Sequence, residues 1–173
     1  MAGSVVPLGV NLLIWTLVAF GAGWYHRRRT IDHLAREGCV LRLRPFETGG
    51  RWYERRLRIK SWKERLPETG GRFGGMSKRQ LPGRDREALE RFAAECRRGE
   101  RTHWTITAAG PVFVVWNTYP EAFAISVANA AGNAPFIAIL RYNRARIARA
   151  LARCHDEVPR GSIDGRIGGG GRR

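Results

Sequence analysis

Residues 104–146 read WTITAAGPVFVVWNTYPEAFAISVANAAGNAPFIAILRYNRAR, an apolar run that passes straight into an arginine box, and the fold depends on how that run divides. As one straight helix, 104–140 would be ~55 Å long, too long for a single crossing of a bilayer and about right for two. Asn117-Thr118-Tyr119-Pro120-Glu121 supplies a turn in the middle. Trp116 and Tyr119 would mark the far interface, and Trp104 and Tyr142 the near one. The spacing therefore predicts a transmembrane or re-entrant helical hairpin. Its first limb, Trp104 to Asn117, spans only ~21 Å as a helix, so it must borrow turn residues, thin the bilayer or re-enter.

A second apolar block, Val5 to Tyr25 (VVPLGVNLLIWTLVAFGAGWY), is ~31 Å long as a helix and matches a hydrocarbon core of ~30 Å. Trp24 and Tyr25 end it as an interfacial belt, and His26-Arg27-Arg28-Arg29 follow, which puts this end in the cytoplasm. A cleaved signal peptide is the alternative. Against it, no basic residue precedes the apolar stretch, the stretch is long for a signal sequence, and the charges come after it. Residues 26–103 carry 22 Lys and Arg against 11 Asp and Glu, residues 141–173 carry 9 against 3, and the loop at the far interface holds only Glu121. All the basic charge thus falls on one side. The expectation is a mainly α, multi-pass protein of the cell membrane with most of its chain on the cytoplasmic side. Its parts are a transmembrane helix in 1–25, a basic region with amphipathic helices in 26–103, the hairpin in 104–140, a basic helix in 141–158 and a disordered Gly/Arg tail in 159–173.

The net charge of +16 would suit nucleic acid in a soluble protein. Juxtamembrane arginines account for it here, gaining ~1 kcal/mol each beside an anionic leaflet, and no zinc-knuckle, helix-turn-helix or RNA-recognition signature accompanies it. The expected partner is therefore the lipid bilayer, with no nucleic acid. Cys39, Cys96 and Cys154 form no CxxC and read as free thiols, and no metal-ligand set is present.

Within the basic region, a helical turn is expected around Ile31 and Leu34. Val40, Leu41 and Leu43 then alternate partly with arginine as in a short strand. Arg51 to Leu66 places Trp52, Ile59, Trp62 and Leu66 on one helical stripe, which suits either a helix lying in the interface or one packed on the protein's own core. Pro67 to Gly83 carries five glycines and reads as a linker or a mobile lid. Asp85 looks like an N-cap for a helix whose stripe is Ala88, Leu89, Phe92, Ala93 and Cys96.

Chemistry gathers at two places. Glu95, Arg98, Glu100 and His103 end that helix, and Glu100 and His103, three apart, share a face, so the carboxylate is placed to orient the imidazole as a general base. A structural ion pair is the plainer reading of the same spacing. Downstream, Ser126, Asn129 and Asn133 recur at helical spacing, which packing through hydrogen bonds explains for the first two. Asn133 lies two residues before Pro135, where a missing N–H is expected to open the helix toward a substrate. Arg141, Asn143 and Arg144 then present guanidinium and amide groups to anions and carbonyls.

FETGGRWYERRLRIKSWKERLPETGGRFGG, ERFAAECRRGERTHW, WN and NAPFIAILRYNRARI, in this order over roughly residues 46–151, resemble the glycosyl-4,4′-diaponeurosporenoate acyltransferase family. The resemblance implies a membrane enzyme that attaches a fatty acyl chain to a sugar hydroxyl of a glycosylated carotenoid acid. It implies a thioester donor, acyl-CoA or acyl-carrier protein, a lipophilic glycosylated acceptor, and no metal or redox cofactor. His103 and Glu100 are then the expected catalytic pair, and Arg98, Asn133, Arg141, Asn143 and Arg144 the expected substrate-binding groups. The rival reading is a non-catalytic membrane scaffold or subunit that binds anionic lipid.

Overall fold

The computed structural model describes residues 8–30, 38–66 and 85–156, the last three by their backbone alone. The turn expected around Ile31 and Leu34, the glycine-rich segment 67–83 and the tail 159–173 lie outside the described residues. Among those described, every regular element is helical.

Helix α1, Leu8–Arg27, is ~30 Å long and turns most of its large aliphatic side chains outward. Its buried residues, Asn11, Ala22 and His26, fall on one stripe. This stripe is polar, the reverse of a soluble amphipathic helix, and each polar member finds a partner. Asn11 exchanges amide hydrogen bonds with Asn117 and accepts from the Trp116 indole at 2.9 Å. His26 Nε2 lies 2.9 Å from the Thr105 hydroxyl. At the helix end, the Arg28 and Arg29 guanidiniums stack over Trp24 and Tyr25 at 3.8 and 4.5 Å. The expected interfacial aromatics are thus engaged by the basic residues that follow them.

Further along the chain come a 3₁₀ turn, Pro45–Gly50, and two short helices, α2 (Arg51–Arg56) and α3 (Ile59–Trp62). The strand expected at Val40–Leu43 is a turn instead, closed by Gly38 accepting from Leu41 and Arg42 N–H. Its carbonyls are spent on an arginine of another element, and no partner strand exists among the described residues. Nor is 51–66 one helix. Arg58 takes a left-handed conformation (φ 46°) between α2 and α3, and the Trp62 indole caps the break by donating to the Leu57 carbonyl at 2.7 Å. The break has a packing reason. Tyr53 and Ile59 would stand about 120° apart on a continuous helix at 100° per residue, and the kink lets both bury against Tyr142. This segment therefore packs on the protein's own core.

Helix α4, Arg86–Ala108, begins as expected, with the Asp85 carboxylate accepting from Ala88 N–H at 3.0 Å. Its stripe of Leu89, Phe92, Ala93 and Cys96 packs on Leu140 and Ile147 of helix α5, Tyr119–Asp156. The two run antiparallel, joined by a 3₁₀ segment, Gly110–Val115, and a turn. Gly110 sits where a Cβ would lie 3.2 Å from Ser126 Cα, so glycine permits the close approach of the two limbs. Glu121 accepts from both the Thr118 N–H and its hydroxyl, fixing the start of α5. The hairpin is present but uneven. Its first limb uses five α-helical residues and then the more extended 3₁₀ form, while α5 runs on without interruption. The basic segment from 141 is thus a continuation of the second limb rather than a separate helix. Pro135 does not open α5, which stays helical on both sides of it. Two helices, α1 and α5, are long and apolar enough to cross a membrane.

Gly50, at φ +78°, lies under the Tyr142 ring, where a Cβ would come within 2.9 Å of Cδ2. Gly50→Ala should cost roughly 1–3 kcal/mol through backbone strain and displacement of the ring. A lowered thermal unfolding midpoint in detergent checks this.

Candidate active site

Four charged side chains from three separate segments meet at the basic end of the α4–α5 pair. Glu47 comes from the 3₁₀ turn, Glu100 from α4, and Arg141 and Arg144 from α5. Glu47 and Glu100 are 2% and 0% exposed. Arg141 uses all five of its N–H donors. Nε and Nη2 grip the two Glu47 oxygens at 2.7 Å each. Nη1 reaches Glu100 Oε1 at 2.6 Å and the Val40 carbonyl at 3.0 Å, and Nη2 also donates to the Arg42 carbonyl at 3.0 Å. Arg144 Nη1 donates to the other Glu100 oxygen. The Tyr53 hydroxyl and the Arg44 N–H complete the shell of Glu47.

Two carboxylates and two guanidiniums make the quartet formally neutral, which is how four ionic groups can be buried together. Burial pushes the Glu47 carboxyl up. The Arg141 fork, the Arg44 N–H and the Tyr53 hydroxyl outweigh it and hold the group below the usual carboxylate range. Burial and the neighbouring Glu47 carboxylate drive the Tyr53 phenol well above its ordinary value.

This arrangement corrects one pairing. Glu100 does not orient His103; its carboxylate is turned to Arg141 and Arg144. His103 Nδ1 instead lies 2.8 Å from Asn133 Oδ1, and the ring stacks on Phe136 at 4.9 Å with an interplanar angle of 5°. Asn133, expected to face a substrate, is buried, and its Nδ2 donates to the Asn129 carbonyl and Oδ1 at 2.8 and 2.9 Å.

The chain of amides fixes the imidazole tautomer. An indole N–H can only donate. The Trp15 Nε1–H donates to Asn129 Oδ1 at 3.0 Å, which sets the orientation of that amide, and Asn129 Nδ2 donates to the Ile106 carbonyl at 2.8 Å. Asn133 Nδ2 must then be the group that meets Asn129 Oδ1, leaving Asn133 Oδ1 as an acceptor. His103 Nδ1 must therefore carry the proton, and in the neutral ring Nε2 is the basic nitrogen. His103 itself is half-buried.

The structure brings Glu100, Arg141 and Arg144 together one helical turn from His103, and joins His103 to Asn133. Arg98 stands apart: two residues before Glu100 it lies on another side of α4, paired with Glu95 at 2.6 Å. Asn143 is buried at 2%. Arg141 was expected to bind substrate, but with every donor accepted by protein it serves as a clamp. Sequence reasoning missed Glu47, Tyr53 and Trp15. Glu47 carried a readable signal as the third residue of a turn opened by Pro45, a position whose carboxylate reaches back to the preceding N–H. No group of three or more potential metal ligands occurs among the described residues.

A family model described as glycosyl-4,4′-diaponeurosporenoate acyltransferase matches residues 21–153. No curated protein and no solved structure matches the chain.

Arg141→Lys keeps the charge but loses the fork, and should destabilise the protein by ~3–5 kcal/mol, as expected for a broken buried pair, in denaturant unfolding. Because Glu47 is depressed in the folded state, its contribution is present above the usual carboxylate range and is lost as pH falls through its folded pKa. Acid unfolding followed by tryptophan fluorescence should therefore lose part of its pH dependence in Glu47→Gln.

Proposed function

Since the chain belongs to the glycosyl-4,4′-diaponeurosporenoate acyltransferase family, we propose that it is a membrane-bound O-acyltransferase. It moves a fatty acyl group from a thioester donor, acyl-CoA or acyl-carrier protein, to a sugar hydroxyl of a glycosylated carotenoid acid or a related lipid. It works at the cytoplasmic face of the cell membrane, with α1 and α5 in the bilayer and the basic region facing the cytoplasm. The charge asymmetry of the sequence and the two long apolar helices support that placement.

The observation that carries the mechanism is the hydrogen-bond chain from Trp15 through Asn129 and Asn133 to His103 Nδ1, which sets an acceptor against Nδ1 and so leaves Nε2 as the basic nitrogen of the neutral ring. Nε2 takes the proton of the sugar hydroxyl as that oxygen attacks the thioester carbonyl carbon. The resulting tetrahedral oxyanion collapses, the C–S bond breaks, and the imidazolium returns its proton to the departing thiolate. Asn133 holds the ring through both steps, and Phe136 keeps it in plane. Glu100 is already committed to two guanidiniums, so it is not the base. Its part is to lock α4 to α5 one turn below the imidazole. The acyl chain and acceptor arrive from the apolar side, where Phe123, Val127 and Trp104 are exposed.

His103→Gln, expressed and inserted at the wild-type level, should lower acyl transfer by ~10²–10⁴-fold, the usual contribution of a positioned base. Mass spectrometry of acylated glycolipid in membrane extracts reads this out, and wild-type product from the variant refutes the mechanism. Asn133→Ala should give an intermediate loss, since the base is retained but its tautomer is no longer fixed.

A further inference from the structure

Beside the quartet, on the outer side of the 3₁₀ turn, lies a groove of about 520 Å³. Arg42, Arg44 and Arg149 line it, and its floor is the alanine stripe Ala145, Ala148 and Ala152 of α5. No carboxylate lines it among the described residues, unlike the quartet, where every guanidinium faces one. The groove is also shaped for a guanidinium. Gly49, at φ +67°, leaves room for Arg149 to lie against the turn, where a Cβ would stand 1.7 Å from Nη2. Three guanidiniums around a small apolar floor make an anion site suited to phosphate esters.

Its position selects among phosphates. Ala148 is twelve residues beyond Phe136, the ring stacked on His103, which is ~18 Å along α5. An extended pantetheine arm bridges that kind of span between its phosphate and its sulfur. In a phospholipid, by contrast, the ester carbonyls lie only a few bonds from the phosphate and could not reach the imidazole.

We infer that this groove holds the phosphate groups of a phosphopantetheine-type thioester donor, coenzyme A in its free form, and thereby sets the thioester at His103. The choice of donor rests on the acyl-transfer reading above. The anion site rests on the groove alone. Arg149, half-buried against Gly49, is the anchor, and the exposed Arg42 and Arg44 close the ring of charge.

The test uses the full chain in nanodiscs of neutral lipid at fixed ionic strength, titrated calorimetrically with coenzyme A and with pantetheine, which has the same arm without phosphates. Wild type should bind coenzyme A at least about tenfold more tightly than pantetheine, as expected for charge-assisted hydrogen bonds. Arg149→Gln and the double variant Arg42→Gln/Arg44→Gln should each remove most of that preference and leave pantetheine affinity in place. The double variant changes only exposed side chains and carries the test if Arg149→Gln fails to insert. Unchanged coenzyme A affinity in the variants, or no preference in wild type, overturns the inference. So does loss of binding to phosphatidylglycerol vesicles with coenzyme A affinity retained, which would assign the groove to lipid headgroups. His103→Gln should bind coenzyme A as wild type does. Arginine-dependent binding without any acyl transfer by wild type would leave the site standing and sink the enzyme reading; transfer without an arginine-dependent preference would do the reverse.

Discussion

The five-donor clamp of Arg141 is the constraint on which the rest of the basic end depends. Its guanidinium joins the Val40–Arg42 turn, the Glu47 turn and Glu100 of α4 to α5 at one point, through contacts of 2.6 to 3.0 Å. Apolar packing alone would tolerate small slides of α4 along α5, because Leu, Ile and Ala surfaces are interchangeable over short shifts. A planar fork with two carboxylates and two carbonyls around it is not so tolerant, since any slide leaves a buried charge short of a partner. The quartet thus fixes the register of the two helices. That register decides which residue of α5 stands across from His103.

At the apolar end a different bond holds the structure. Side chains of α1 face outward over most of their surface, so apolar burial within the protein gives little force for docking it. Amides, indoles and hydroxyls do the joining. Asn11 pairs with Asn117, His26 with Thr105, and Trp15 with Asn129. The Trp15 bond has a consequence beyond adhesion. It is the first link in the donor–acceptor order that ends with a proton on His103 Nδ1, so the seating of α1 and the basicity of Nε2 are one problem.

Period and composition were enough to read α1, the stripe and cap of α4, and a hairpin whose first limb is short. The misreadings have specific causes. Val40 to Leu43 looked like a strand because arginine alternates with apolar residues, yet a strand needs a partner, and these carbonyls have a guanidinium instead. The stripe of 51–66 holds only for an unbroken helix, and a left-handed Arg58 brings Tyr53 to the same cluster as Ile59. Glu100 and His103 do share a face, as their spacing requires. Spacing does not say which neighbour wins a carboxylate, and two guanidiniums from α5 attract it more strongly than one neutral ring. What sequence could not supply was the identity of the competitor across the helix pair.

The same competition sorts the arginines. With 31 Lys and Arg against 15 Asp and Glu, carboxylates are the scarce component. The two most deeply buried of those described, Glu47 and Glu100, go to the cations that must leave water, because an unpaired guanidinium in that interior would cost several kcal/mol. Pairing them there leaves the quartet formally neutral. An arginine box beside an apolar helix is therefore two things at once. Its inward members, Arg141 and Arg144, are structural cement with no charge left to offer. Arg149, about two turns beyond Arg141 on the same helix, lies in a groove that no carboxylate lines among the described residues. Reading such a box as one binding surface overlooks that division, which follows from where the acids sit rather than from where the arginines do.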